Sequence, residues 1–419
     1  MSNRLIIAKD MFYDGILRDV KKSNDRLRPL FEAFTNSLEA IKAKRNAGFA
    51  CGKICVELHL LSGTTDEDYI FEKLVITDDG VGFDRDNFKR LTMYKDYRKG
   101  FSNKGSGRLQ FLHFFKGTRF ASVVSCGTTF KVRNFSLSKD FTSKNAIIAL
   151  CAPNPTDALE TGTKLTMQGL LVEADQRAYS KLSAQQLKNE LLSQYVLEFC
   201  SHRDSLPEIK IVQFIDGKLD DTQAIVSKDI PNKDKGADVV LNYSKVSHDG
   251  KTVEKIADTE TFHLSSFSIS SDELDANEIK LTSKNEVIRG TSIDLECLTS
   301  KDQVDGKRYL FFLSGDYIDR KDGDTRGVLN IPTRDEFRKG HVDDIFDERE
   351  IVLEDITGET NRVILSLHDE IRQKTEEKTH DIESLREMFL LNPETINGLT
   401  IIRRFLNGQR NATRYLLIN

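Results

Sequence analysis

Three short stretches carry side chains whose types and spacing could do chemistry. In the first, Glu32, Asn36 and Glu39 recur four and three residues apart, the spacing that lines up side chains on one face of a helix. A carboxamide oxygen there can ligate a hard cation such as Mg²⁺, and a carboxylate one turn away can orient an attacking water. In the second, the apolar run Leu74-Val75-Ile76-Thr77 leads into Asp78-Asp79-Gly80-Val81-Gly82-Phe83. An acid at a strand end can accept a hydrogen bond from an exocyclic amine such as that of adenine. Glycines at alternate positions let the backbone lie close to a flat ring. In the third, Lys99-Gly100-Phe101-Ser102-Asn103-Lys104-Gly105-Ser106-Gly107-Arg108 runs into the apolar Leu109-Gln110-Phe111-Leu112. A glycine-rich loop that opens a helix presents backbone N–H groups to phosphates, and Lys104 can sit among the anions.

Each stretch also has a plainer reading. The first helix could present a solvated polar face, and the second stretch could be a hairpin turn or an acidic, calcium-like loop. The third is not a Walker A loop, which needs a wider glycine spacing followed by Lys-Ser/Thr. The elements that would position these residues are legible. Leu27, Leu30, Phe31, Phe34, Leu38 and Ile41 recur at helical spacing, with Pro29 in the first turn, where a missing N–H costs little. Lys53-Ile54-Cys55-Val56-Glu57-Leu58-His59-Leu60 alternates as a strand, and Phe71–Thr77 forms a second. The acidic stretch Thr64–Asp68 reads as the turn between them.

Taken together and in this order, the stretches resemble the N, G1 and G2 boxes of the GHKL ATPases, the superfamily of gyrase, the large heat-shock chaperone, histidine kinases and MutL. Glu160-Thr161-Gly162-Thr163-Lys164-Leu165-Thr166 resembles the Gly-Thr strand that closes the adenine pocket in that family. The resemblance covers residues 27–167 and implies an α+β protein. Its first domain, residues 1–175, would be a Bergerat-type α/β sandwich that binds ATP with Mg²⁺. By that resemblance Asp78 reads the adenine amine with help from Thr163, and Gly80 and Gly82 let the base lie close. Asn36 ligates Mg²⁺, Lys104 with the amides of Gly105 and Gly107 holds the terminal phosphates, and Glu32 orients the water. Residues 83–104 would be a mobile lid.

The family divides by output. No histidine precedes the first helix, which sets the chain apart from a histidine kinase of the usual layout. Glu32 one turn ahead of Asn36-Ser37-Leu38-Glu39-Ala40 resembles the chaperone and MutL branch, where ATP closes a homodimer. A second α/β domain, residues 184–340, would act as the transducer. Within it Leu329-Asn330-Ile331-Pro332-Thr333-Arg334-Asp335-Glu336-Phe337 resembles the chaperone loop that carries an ATP-contacting arginine. This gives Arg334 a catalytic role, with Arg320 and Lys321 as competitors. Strands are expected at 208–214, 239–243, 261–268, 279–281 and 310–313, and a helix at 184–199.

Composition bounds the rest. The 419 residues are 38% hydrophobic and 30% charged with a net charge of −5, which suits two or three folded domains and gives no global attraction to nucleic acid. Any such binding must be local. Between Arg85 and Arg119 ten Lys or Arg face two Asp, a field matched to triphosphate. No apolar run approaches the roughly 18 residues of a membrane span. The six cysteines lack a second metal-spaced pair and read as reduced thiols of a cytoplasmic protein.

From Asp343 to Glu387 fifteen acids accompany six bases, with Ile351, Ile356, Val363, Leu367, Ile371, Ile382, Leu385 and Phe389 as an apolar set, so 341–419 is expected to be an exposed or coiled helical segment that connects or dimerises. Its last stretch carries Arg403, Arg404, Arg410 and Arg414, of which Arg403 and Arg404 are the candidates for DNA contact. With no nuclease signature and no large basic domain, the chain departs from the repair, gyrase and chaperone members. A stand-alone bacterial or phage-defence ATPase beside a partner effector suits it. The contrasting class is a non-hydrolysing ATP-sensing scaffold or chaperone-like module.

Overall fold

The computed structural model describes residues 4–8, 12–49, 52–64, 69–93, 107–127, 129–152, 154–247, 250–272, 274–322, 329–340 and 349–377. They form two sheets with helices packed on them, an α+β arrangement. The first unit runs β1 (Arg4–Ile7), α1 (Tyr13–Asp19), α2 (Arg28–Asn46), β2 (Lys53–Ser62), β3 (Tyr69–Asp78), α3 (Arg85–Thr92), α4 (Arg108–Phe114), β4 (Phe115–Cys126) and β5 (Thr129–Leu137). It continues with β6 (Ala146–Leu150), β7 (Asn154–Pro155), β8 (Gly162–Leu170), α5 (Glu173–Ser180), α6 (Ala184–Ser201), β9 (Glu208–Ile215) and β10 (Lys218–Ile225). Among the described residues its strand order is β1-β6-β5-β4-β8-β3-β2-β9-β10, with β7 beside β5. Neighbours are antiparallel except β2 and β9.

The local sequence explains the parts that matter for the site. Helix α2 carries Pro29 in its first turn and Lys44 and Arg45 in its last, where cations suit the negative end of the helix dipole. Its face of Leu30, Phe31, Phe34, Leu38 and Ile41 is buried against Ile54, Val56, Leu58 and Leu60, the alternate residues of β2. The same parity on β3 turns Leu74 and Ile76 into this core and delivers Asp78 to the helix side.

The second unit holds β11 (Lys235–Val246), β12 (Val253–Ser270), β13 (Glu278–Ser283), β14 (Glu286–Ile293), β15 (Lys307–Ser314), α7 (Asp316–Lys321), α8 (Arg334–Gly340) and α9 (Leu353–Leu367). Its sheet order is β11-β12-β15-β13-β14. The turn between β13 and β14 places Lys284 and Asn285 both at positive φ, 55° and 64°, the backbone of a tight two-residue hairpin. A small third cluster joins the units: Val196 of α6 packs with Phe267, Val287, Leu310 and Phe312.

Two expectations need correction. A domain break between residues 175 and 184 does not separate the two sheets. The first sheet runs on to Ile225, because β9 pairs in parallel with β2 and α6 buries Leu187, Leu191, Tyr195 and Phe199 in the first core. The acidic segment after residue 341 is not an exposed connector as far as it is described. Ile351, Ile356, Ile364 and Ile371 are fully buried in the second core, at helical spacing beneath a charged outer face. His368, just past α9, has Nε2 2.9 Å from Ser266 Oγ and Nδ1 2.9 Å from Glu370. Ser266 and His368 are both buried and Glu370 is partly exposed, so this relay anchors the end of the helix and meets solvent only through Glu370. Ile382, Leu385, Phe389 and the four late arginines lie outside the described residues.

Candidate functional site

Asp78 closes β3 directly opposite Thr163 of β8. One of its carboxylate oxygens accepts the Gly80 N–H at 2.9 Å and the other accepts the Ser37 hydroxyl at 2.9 Å. Helix α2 and the β3 strand end are thereby clasped through the residue that follows Asn36. Burial pushes the Asp78 carboxyl up to about 6. The Gly80 amide and the Ser37 hydroxyl pull it back toward the ionised form, Asp79 raises it and Lys44 lowers it.

The neighbouring Asp79 does a different job. Its carboxylate accepts the N–H groups of Gly52, at 3.0 Å, and Lys53, at 2.8 Å, and Lys44 Nζ donates to its carbonyl at 2.5 Å. It fixes the start of β2 to the end of β3. The glycines after it are required by contact. A Cβ on Gly80 would stand 2.5 Å from the Cβ of Ala40 on α2. One on Gly82, whose φ is +72°, would stand 2.5 Å from the Val123 carbonyl. The loop is thus pressed onto α2, and Val81 N–H donates to the Ala40 carbonyl at 3.3 Å. Thr161 donates to the Gly80 carbonyl at 2.7 Å. Thr163 lies 3.1 Å from Ser122, which also accepts the Phe83 N–H at 2.8 Å.

At the other end of the same helix face, Asn36 Nδ2 donates to the Glu32 carbonyl at 2.6 Å. With the nitrogen committed to the backbone, the side-chain oxygen is the end suited to a hard cation. The Glu32 carboxylate accepts both Nε and Nη2 of Arg28, with Nε at 3.0 Å. Gly107, at the start of α4, lies against that carboxylate so closely that a Cβ would come within 1.9 Å of it.

These residues enclose a cavity of about 250 Å³, close to the roughly 300 Å³ lower end of small-ligand pockets. Glu32, Asn36, Asp78, Gly82, Gly107 and Thr163 all line it. Gly80 stands behind the wall, against α2. Lys104 and Gly105 lie outside the described residues, as do residues 94–104 of the expected lid. Ahead of them stands helix α3, capped by Asp84, which accepts the Asn87 N–H at 2.7 Å. Asn87 and Arg90 of α3 also reach the cavity wall. Asn87 Nδ2 donates to the Gly82 carbonyl at 3.1 Å and its side-chain oxygen accepts Arg90 Nη2.

The structure does not bring Arg334 to this cavity. Its guanidinium is 2.7 Å from Asp355 on α9 and its N–H donates to Glu354, both in the second unit. Arg320 and Lys321 are likewise held by Glu260 and Glu350. The second unit touches α2 through β14 instead. Thr35 donates to Glu286 at 2.8 Å, and the Arg289 guanidinium sits 4.4 Å from the Phe31 ring centre.

Sequence reasoning passed over Ser37, Arg28, Arg90 and Ser122. The Arg28–Glu32 pair had a signal, opposite charges four apart on a helix. Ser122 had none, because only strand pairing brings it beside Thr163. Among the described residues no group of three or more His, Cys, Asp or Glu could hold a metal on its own, and no helix is long and apolar enough to cross a membrane. The described cysteines 55, 126, 151, 200 and 297 form no disulfide with one another; Cys51 lies outside the described residues.

No protein-family model matches the chain, and no curated protein matches it. Among solved structures the chain is similar to one titled as the crystal structure of the N-terminal domain of a DNA repair protein. The two are 12% identical over 68% of this chain and 82% of that one, with a TM-score of 0.39.

Proposed function

We propose that this protein is a Bergerat-type ATPase of the GHKL kind, which binds and hydrolyses Mg-ATP to drive closure or dimerisation. One observation carries the reading: Glu32, Asn36 and Asp78, singled out by residue type and spacing, line a single cavity with Thr163, which the family resemblance singled out. Asp78, when ionised, accepts a hydrogen bond from an exocyclic amine, and Gly82 keeps the wall beside it free of side chain. Asn36 would hold Mg²⁺ through its side-chain oxygen. The ion, when bound, neutralises phosphate charge, which is most of what phosphoryl transfer asks of a protein.

Glu32 accepts a hydrogen bond from the attacking water and turns its lone pair toward the γ-phosphorus. The new P–O bond forms as the bond to the bridging oxygen breaks and leaves its electron pair on ADP. The water proton passes to the released phosphate. Binding by a partner effector or by DNA, and a homodimeric active form, belong to this proposal and rest on the family resemblance.

Phosphate release by the intact chain, measured with Glu32→Ala beside it, tests the reading. The expected result is Mg-dependent release that the substitution lowers by about a hundredfold or more, with ATP still bound. Binding without turnover under any condition would favour a nucleotide-sensing scaffold.

A further inference from the structure

An ion pair buried behind the cavity wall points to a residue that none of the motifs includes. The side chains of Arg28 and Glu32 are 6% and 9% exposed, so this is not a solvated i,i+4 pair worth a few tenths of a kcal/mol. A buried pair of this kind contributes little stability over apolar side chains of similar volume, so stability alone does not account for its place here. Glu32 lines the cavity and Arg28 does not. Among the described residues, Arg28 meets the cavity through Glu32. Its Nε and Nη2 both meet the same carboxylate oxygen, while Gly107 crowds the other. The carboxylate is fixed from behind and from the side. The Tyr195 hydroxyl, which donates to the Phe31 carbonyl at 2.7 Å, lies within electrostatic reach of both charges and of Glu286.

Resting on the ATPase reading above, we propose that Arg28 is a positioning residue for hydrolysis: its guanidinium fork holds the Glu32 carboxylate in the one orientation that aims a water into the cavity. It touches neither nucleotide nor metal. Loss of the fork loosens the hold on the Glu32 carboxylate, and a water misplaced by about 1 Å costs up to a hundredfold in rate. Nucleotide affinity stays, because Asp78 and Asn36 are untouched. A lysine keeps the charge but gives up the planar two-point grip.

The test compares wild type with Arg28→Met and Arg28→Lys in the full chain, measuring kcat and KM for Mg-ATP and the affinity for a non-hydrolysable ATP analogue. The expected result is a kcat lowered roughly tenfold to a hundredfold in Arg28→Met, with analogue affinity within about twofold. Arg28→Lys should recover part of the rate, since it restores charge without the fork. Arg28→Met at or above the wild-type kcat, or a loss of kcat matched by an equal loss of analogue binding, overturns the proposal. Should Arg28→Met fail to fold, Arg28→Lys decides: a wild-type kcat there rules out the fork. A wild-type protein that binds no analogue and releases no phosphate instead sinks the ATPase reading beneath it, a distinct outcome.

Discussion

The two ends of the cavity hold their acids in opposite ways. Asp78 is surrounded by neutral donors, the Gly80 amide and the Ser37 hydroxyl, and burial lifts its carboxyl to about 6. Glu32 is matched to a full positive charge, Arg28, four residues away on the same helix. Desolvation without a counter-charge leaves an acid that recognises by hydrogen bonding and titrates near neutrality. A counter-charge gives one that is held in place by its partner. On the proposed reading, one short face of α2 would support a recognition end and a reaction end, separated by little more than the turn from Glu32 to Ser37.

The largest break in that contrast comes at Asp78. Its carboxyl is raised in the folded protein above its unfolded value. The stability it contributes is therefore fully present below about 4 and lost as the pH rises through about 6. Asp78→Asn removes this cost while keeping both hydrogen bonds, since its oxygen accepts from Gly80 and its nitrogen donates to Ser37. The variant should be more stable than wild type at pH 7.5 by on the order of 2–3 kcal/mol. The gain should fade toward pH 4, as read by denaturant melts at both values. A gain that persists at pH 4 would mean the carboxylate is not the source.

Asn36→Ala should act between the two ends. It removes the oxygen that would hold Mg²⁺, so the dependence of ATP affinity on magnesium should fall by about tenfold, with the magnesium-free affinity little changed. Titrations with and without the ion check this. The smallest effect is expected at Arg334, whose guanidinium is committed to Asp355. Arg334→Ala should alter turnover by less than about twofold, the usual range for a partly exposed ion pair. A large loss would mean that the second unit swings onto the cavity in the active form.

Much of the site could be read in advance because the signals were local. The helical period of Leu30, Phe31, Phe34 and Leu38 fixes which face of α2 is buried. The alternation Leu74–Ile76–Asp78 decides between two adjacent acids that composition alone leaves equal. The misreadings were non-local. The pairing of β9 with β2 is parallel and spans about 150 residues of sequence, with no turn to announce it, so the chain seemed to change domain before α6. Charge misled at the other end: an apolar set with Ile356 and Ile371 was legible among the fifteen acids, but the acids pointed to an exposed connector and not to burial in the second core. Arg334 sat in a short motif whose true partner, Asp355, lies 21 residues further on.

The most direct measurement is a calorimetric titration of Mg-ATP into the intact wild-type chain and into Asp78→Asn. Saturable binding to wild type, lost or weakened by about a hundredfold in the better-folded variant, is what a cavity reading adenine through Asp78 predicts. Equal binding by the two proteins, or no binding to wild type at millimolar nucleotide, would contradict it.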